Sequence, residues 1–239
     1  FPPNFPSSWN RISKMSESED GETSSGYYLF KILVVGVTGV GKTSMIQRLV
    51  YEIFKEEYKS TIGVEFAFLM MKLDDDTPIR VQLWDIGGQE QYARLLRAYY
   101  KMAYGAIVVG DINSKYFQTE VAWWKKDIDQ KVFYRNDPSI PLPCVLCANK
   151  ADIAPEVNRD KFQQVSEELG FVDWFPTSAK APGENGEWIQ NLRQAVRSLL
   201  QEIMRLEREL GPEGVESDPE SDGVKVTDPV PLNQGGCPC

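Results

Sequence analysis

The sequence predicts an α/β fold: a doubly wound, mostly parallel six-stranded sheet with one antiparallel hairpin strand. Three observations carry that expectation. Short apolar runs alternate with segments of helical periodicity along most of the 239 residues, the pattern of repeated strand–helix units. Runs such as Gly105-Ala106-Ile107-Val108-Val109-Gly110 and Cys144-Val145-Leu146-Cys147-Ala148 are apolar along their length, as buried strands are. One acidic turn, Asp74-Asp75-Asp76-Thr77-Pro78, joins two strand-like segments directly and predicts the hairpin.

The elements follow in order. Phe30-Lys31-Ile32-Leu33-Val34-Val35 is short, apolar and β-branched, and reads as a buried strand, while residues 44–50 carry helical apolar spacing. Further strands are expected at 64–73, 79–84, 105–110, 144–148 and 172–175, and helices near 118–130, 159–169 and 187–210. In the last helix Trp188, Leu192, Val196, Leu199, Ile203 and Met204 make an apolar stripe, read as core packing. Of the adjacent Trp123 and Trp124, one is expected against the sheet and the other at the surface. Residues 1–26 are rich in Pro, Ser and Glu without periodicity and are expected to be disordered. Met15 begins a more ordinary start, so the residues before it are expected to be an upstream extension. Residues 27–210 are expected to form the folded domain, and residues 211–239 a flexible acidic tether.

Gly36-Val37-Thr38-Gly39-Val40-Gly41-Lys42-Thr43 fits G-x-x-x-x-G-K-[ST] and sits between the first strand and the first helix. In that setting backbone N–H groups and a helix N-terminus face an anion, so the loop is a phosphate cradle that includes Thr38, Gly39, Val40, Gly41 and Ser44. Lys42 would reach the β- and γ-phosphates, and the Thr43 hydroxyl would ligate Mg²⁺. Asn149-Lys150-Ala151-Asp152 follows the 144–148 strand, at the carboxyl end where open α/β sheets bind ligands. Asp152 there can accept the ring N–H and the exocyclic amine of guanine, a donor pair that adenine lacks. Asn149 would hold the loop and the purine edge, and the Lys150 stem would lie on the base. The backbone of Thr177-Ser178-Ala179-Lys180 could close over the base oxygen. In Leu83-Trp84-Asp85-Ile86-Gly87-Gly88-Gln89-Glu90, Asp85 stands on the Mg²⁺ side, Gly88 can offer its N–H to the γ-phosphate, and Gln89 can orient the attacking water. Thr61, between the two phosphate loops, is the natural second hydroxyl ligand for Mg²⁺, made only when the γ-phosphate is present.

With these motifs in order, the chain resembles the Rab branch of the Ras-like small GTPases, from about residue 28 to 210 plus the last three residues. Rab-type surroundings support the resemblance: Ile62-Gly63-Val64-Glu65-Phe66, Tyr99-Tyr100 and Cys237-Pro238-Cys239. Ile86, Lys131-Val132 and Ile140-Pro141-Leu142-Pro143 are similar to the Rab subgroup of lysosome-related organelles. The resemblance implies a P-loop NTPase G domain that binds GTP or GDP with Mg²⁺, hydrolyses GTP slowly and recruits effectors to an intracellular membrane in vesicle trafficking. It implies switch segments at about 54–64 and 85–100, with Phe54 stacked on the guanine edge and Tyr58 over the phosphates. It also implies an exchange factor, a GTPase-activating protein, a Rab escort protein or GDP-dissociation inhibitor, and membrane effectors. The chain itself is expected to be a monomer on the cytoplasmic face of an endosomal or lysosome-related membrane, cycling with the cytosol. Cys237 and Cys239 would carry two geranylgeranyl groups, since position 236 is Gly and excludes C-a-a-X processing.

The chain departs from the Rab pattern at Val37 in place of Asp, Gly87 in place of Ala, and Gln91-Tyr92 in place of Arg-Phe. Val37 and Gly87 bear on the hydrolysis rate because they lie beside the phosphates, and Gly87 also costs about 0.5–1 kcal/mol of extra ordering relative to Ala where Gln89 must be aimed. Gln91 and Tyr92 bear on which regulators bind.

Composition narrows the field further. A formal net charge of −9 without a basic stripe argues against nucleic acid. The absence of His excludes a histidine base or ligand. Cys144 and Cys147 invite a zinc or redox reading but have no second ligand pair, so they are read as buried structural cysteines in a reducing, cytosolic setting. No signal peptide and no apolar stretch of membrane-spanning length is visible. Two rival classes stay open from the residues alone: a GTP-dependent binding module that scarcely hydrolyses, and a P-loop ATPase or nucleotide kinase.

Overall fold

The computed structural model describes residues 28–57, 59–73, 78–88, 97–154, 156–180 and 186–211. Its strands are β1 (Tyr28–Val35), β2 (Val64–Lys72), β3 (Pro78–Ile86), β4 (Gly105–Asp111), β5 (Cys144–Asn149) and β6 (Asp173–Pro176). Its described helices are α1 (Lys42–Tyr51), α2 (Phe117–Asp129), α3 (Arg159–Glu168) and α4 (Glu187–Leu210). The strands form one sheet in the order β2-β3-β1-β4-β5-β6. β2 runs antiparallel to β3, from Val64 opposite Ile86 to Lys72 opposite Pro78. The other pairings are parallel. The expected doubly wound sheet with one hairpin strand is therefore the observed one.

Burial explains the strand compositions. β4 and β5 lie inside the sheet, and all of β5 and all but the last residue of β4 are buried; hence their unbroken apolar runs. β2 is one of the two edge strands and is largely exposed or half-buried. Every parallel strand points its carboxyl end the same way, so the ends of β1, β3, β4, β5 and β6 gather their following loops along one rim. Such a rim is where ligands bind in open α/β sheets.

α4 lays Leu192, Val196, Leu199, Ile203 and Met204 on the core as its spacing predicts. Trp188, expected in that stripe, is only half-buried. Ile189 takes the buried position at the start of the helix instead. Trp124 is buried against the sheet at 1% exposure, and Trp123 stands outside at 40%.

The far end of α4 is fastened. Glu207 is buried, accepts from the Tyr134 hydroxyl at 2.6 Å and forms an ion pair with Arg135. Arg135 also donates to the Gly211 carbonyl at 2.7 Å. Burial, then the Glu207 carboxylate, pushes the Tyr134 phenol well above its ordinary range. Residues 134–136 lie in the connection between α2 and β5, at the opposite rim from the loop ends.

Candidate functional site

A cavity of about 470 Å³ opens at the carboxyl rim of the sheet, within the size range of small-molecule sites. It brings together Thr38, Gly39, Gly41, Lys42, Thr43, Ser44, Phe54, Thr61, Gly88, Asn149, Lys150, Asp152, Ser178, Ala179 and Lys180. Val40 and Asp85 stand one layer back, both buried, and reach the cavity through their partners. Tyr58, Gln89, Cys237 and Cys239 lie outside the described residues.

At the phosphate end, α1 starts directly on the glycine loop, and Gly41 caps it with a left-handed φ of 99°. Lys42, the first residue of that helix, curls back so that Nζ donates to the Gly36 carbonyl at 2.8 Å and the Val37 carbonyl at 3.1 Å. Burial pulls its ammonium down to about 8, against the attraction of nearby Asp85. A cation held this way, on loop carbonyls inside an anion cradle, is placed to accept a phosphate.

Beside it, Thr43 Oγ1 lies 2.8 Å from Thr61 Oγ1 and donates to Asp85 Oδ2 at 2.5 Å, while Thr61 Oγ1 is 3.4 Å from the same carboxylate oxygen. Asp85 Oδ1 is buried and has no hydrogen-bond partner among the described residues. Burial pushes the Asp85 carboxyl above its usual value, although the Thr43 and Thr61 hydroxyls and the Lys42 charge counter it. Two hydroxyls and a carboxylate make a hard-oxygen set suited to Mg²⁺. Adjacent ligands of an octahedral Mg²⁺ sit about 2.9 Å apart when each bond is about 2.0–2.1 Å. The Thr43–Thr61 separation fits that spacing, and Asp85 keeps one buried carboxylate oxygen without a partner among the described residues.

Gly88 sits against the glycine loop so closely that an added Cβ would lie 2.5 Å from the Thr38 nitrogen and 2.6 Å from the Gly36 carbonyl oxygen. Gly87 donates its N–H to the Gly63 carbonyl at 2.9 Å, and a Cβ there would meet the Thr61 carbonyl oxygen at 2.9 Å. Glycine at 87 therefore does more than loosen the backbone. It lets the Thr61–Gly63 segment close directly onto the end of β3.

The base end is built differently. Asn149 ends β5 and donates to the Val40 carbonyl at 2.7 Å, tying the second loop to the first, and Thr177 donates to it at 3.3 Å. Ser178 donates to Asp152 at 2.5 Å and accepts from the Lys180 N–H at 3.1 Å. Lys150 takes a left-handed φ of 66° and pairs with Asp111 at 2.7 Å, which places its stem along the cavity wall. Burial raises the Asp111 carboxyl, but the Lys150 ammonium and Asn113 donors outweigh it and hold it below the usual carboxylate range. Asp111, Asn113 and Arg48, which donates to the Ala179 carbonyl at 2.9 Å, are supports that sequence reasoning missed. Glu56, Lys59 and Ser60 of the segment after α1 also line the cavity. The contacts of Arg48 with Ala179, Asp111 and Asn113 with Lys150, and Glu56 with Lys180 join residues distant in the chain, so no short-range pattern marks them.

Among the described residues no group of three His, Cys, Asp or Glu side chains is placed to hold a metal. Cys144 and Cys147 are both buried in β5, and burial pushes both thiols up to about 12.

The glycine loop with Lys42, the Thr43–Thr61–Asp85 oxygen set and the Asp152 carboxylate meet at one cavity, and the family model described as "Ras family" matches residues 31–203. The chain belongs to the Ras family. It is 42% identical over 194 residues to "Ras-related protein Rab-32A" of Dictyostelium discoideum, covering 80% of this chain and 85% of that one. It is 44% identical over 179 residues to human "Ras-related protein Rab-32", covering 74% and 76%. Human "Ras-related protein Rab-7L1" is 40% identical over 179 residues, covering 74% and 84%. A Rab-type member of the family is a switch in membrane trafficking that binds GTP or GDP with Mg²⁺ and hydrolyses GTP. It works with exchange factors, activating proteins, dissociation inhibitors and effectors at intracellular membranes. The ATPase and nucleotide-kinase readings fall away. No described helix is long and apolar enough to cross a membrane.

Proposed function

We propose that this switch divides its work between the two ends of the cavity. Lys42 and the Thr38–Ser44 backbone hold the phosphates; Thr43, Asp85 and, in the GTP state, Thr61 hold Mg²⁺, which draws charge from the phosphates when bound. Asp152, aimed by Ser178, reads the two guanine donors, while Asn149, Lys150 and Phe54 bound the base. Gly88 offers its N–H to the γ-phosphate and Gln89 orients the water. The observation that carries this reading is the meeting of the Thr43–Thr61–Asp85 oxygens with Lys42 at one end of the cavity that Asp152 closes at the other.

The partner-binding face is proposed to be the aromatic row across β2, β3 and the following turn. Phe66 and Trp84 stack at 5.9 Å, and Trp84 and Tyr99 lie at 6.0 Å. Phe66 is 56% exposed and Ile62 91%, apolar area that a partner would cover. The Lys31 ammonium lies 3.9 Å over the Trp84 ring, on the same face of the sheet. The row touches both segments that respond to the γ-phosphate, so nucleotide state would be read there.

Two prenyl groups on Cys237 and Cys239 are proposed as the anchor to an endosomal or lysosome-related membrane. The acidic residues between Glu213 and Asp228 make no polybasic patch, so one chain alone would bind only marginally. A competition of GTP, GDP and ATP for fluorescent GDP tests the nucleotide reading, with ATP expected not to compete. In single-turnover hydrolysis, Gln89→Leu should slow the intrinsic rate with affinity nearly unchanged, since water positioning acts in the transition state. An unchanged rate removes Gln89 from the mechanism.

A further inference from the structure

We infer that the ion pair between Glu56 and Lys180 is a strap across the mouth of the cavity that slows guanine-nucleotide release, an inference that rests on the nucleotide reading of that cavity. Lys180 Nζ lies 2.8 Å from Glu56 Oε1, and both residues line the cavity from opposite walls. Glu56 belongs to the segment between α1 and Thr61, which follows the nucleotide state. Lys180 belongs to the loop after β6, which holds the base.

The two anchorages differ in firmness. On the base side, the Lys180 N–H donates to Ser178, Ser178 donates to Asp152, and Arg48 holds the Ala179 carbonyl. On the other side the described contacts hold the segment at its ends: at its start Glu52 pairs with Arg193 at 3.1 Å and its carbonyl accepts from Arg48 at 2.8 Å, and at its far end Thr61 meets Thr43 and Asp85. Between those ends, Lys59 and Glu57 pair with each other at 3.7 Å within the segment. Glu56 is thus the charge that reaches across. The hydrogen bond from Lys180, and then its charge, hold the Glu56 carboxyl below its usual range; the same contact holds the Lys180 ammonium above its own, with a smaller pull from Asp152. A nucleotide leaving the cavity must part these walls, and the pair breaks when they part.

Both side chains are largely exposed, at 57% for Lys180 and 77% for Glu56. An exposed pair is weak and screened by salt, so the strap should adjust the release rate rather than decide affinity. The full chain is loaded with fluorescent GDP, chased with excess GDP, and followed at about 0.01 M and about 1 M ionic strength, where the screening length falls from about 30 Å to about 3 Å. Glu56→Gln should release GDP roughly two- to five-fold faster than wild type at low salt, and the difference should vanish at high salt. Lys180→Gln also removes a residue assigned to the base, so the cycle matters: Glu56→Gln added to Lys180→Gln should give no further acceleration. Wild-type release from Glu56→Gln at low salt, an acceleration that persists at high salt, or multiplicative effects in the double variant would each overturn the strap. Stoichiometric loading in those cases leaves the nucleotide reading standing, whereas failure of the wild type to load would overturn both.

Discussion

The two ends of the cavity meet their ligand in different conditions. At the base end the protein has already satisfied its own polar groups. Asn149 bonds to Val40 and Thr177, Asp152 accepts from Ser178, and Lys150 is paired with Asp111. At the phosphate end the groups are buried ahead of their compensation. Among the described residues the Lys42 ammonium bonds to carbonyls, its pKa drawn down by burial against the attraction of Asp85, and Asp85 keeps one buried oxygen without a partner. The base end is part of the fold; the phosphate end is completed by what binds there. A buried polar group left unmade costs more than a made one gains, so the buried Asn149 node of the base end should respond to mutation through stability, whereas the exposed Asp152 and the phosphate end should respond through ligand affinity.

The largest expected effect is at Asp152. Asp152→Asn offers an amide where two donors need acceptors, and losing a charged bidentate contact of about 1.5–3 kcal/mol should weaken GTP about ten- to a hundred-fold and favour xanthosine triphosphate. Nucleotide titrations that still prefer GTP would refute the base-reading role. Next, Asn149→Ala should lower the unfolding free energy by about 1–3 kcal/mol, because the Val40 carbonyl and Thr177 hydroxyl lose a buried partner. Denaturant unfolding of the nucleotide-free protein measures this; an unchanged midpoint would break the contrast. Asp85→Asn should do the opposite, leaving the nucleotide-free protein no less stable while weakening Mg²⁺-dependent GTP binding. The sign follows from the raised pKa: an acid that prefers its neutral form in the fold destabilises when charged, so stability rises as pH falls toward that pKa and an amide keeps the gain. The smallest effect concerns reagents. With thiols up at about 12, Cys144 and Cys147 should resist alkylation at pH 8 and react only after unfolding; mass spectrometry of the labelled protein checks this.

The sequence made the architecture legible because the signals were local. A glycine loop between a strand and a helix, an Asp-rich turn and a 3.6-residue stripe each lie within a few consecutive positions. α4 runs over the expected 187–210, while β6 is displaced by one residue to Asp173–Pro176. Trp188 misled because its apolar character and spacing fit the stripe, yet it stands in the first turn of the helix and is only half-buried. The members of the cavity were readable from motifs; their supports were not. Arg48 on Ala179, Asp111 on Lys150 and Glu56 on Lys180 are contacts between residues far apart in the chain, and only the closed sheet brings them together. Gly87 was legible as a departure, but its close approach to Thr61 was not.

The buried Glu207 clasp has a mechanical consequence. α4 is a rod of 24 residues, about 36 Å at 1.5 Å per residue, and it starts near the cavity rim and ends at the opposite rim. Any tug arriving from beyond Gly211 falls first on Arg135 and Tyr134, a full sheet-width from the bound nucleotide. The load then runs into the rigid body of the sheet instead of prying at the loops around the base.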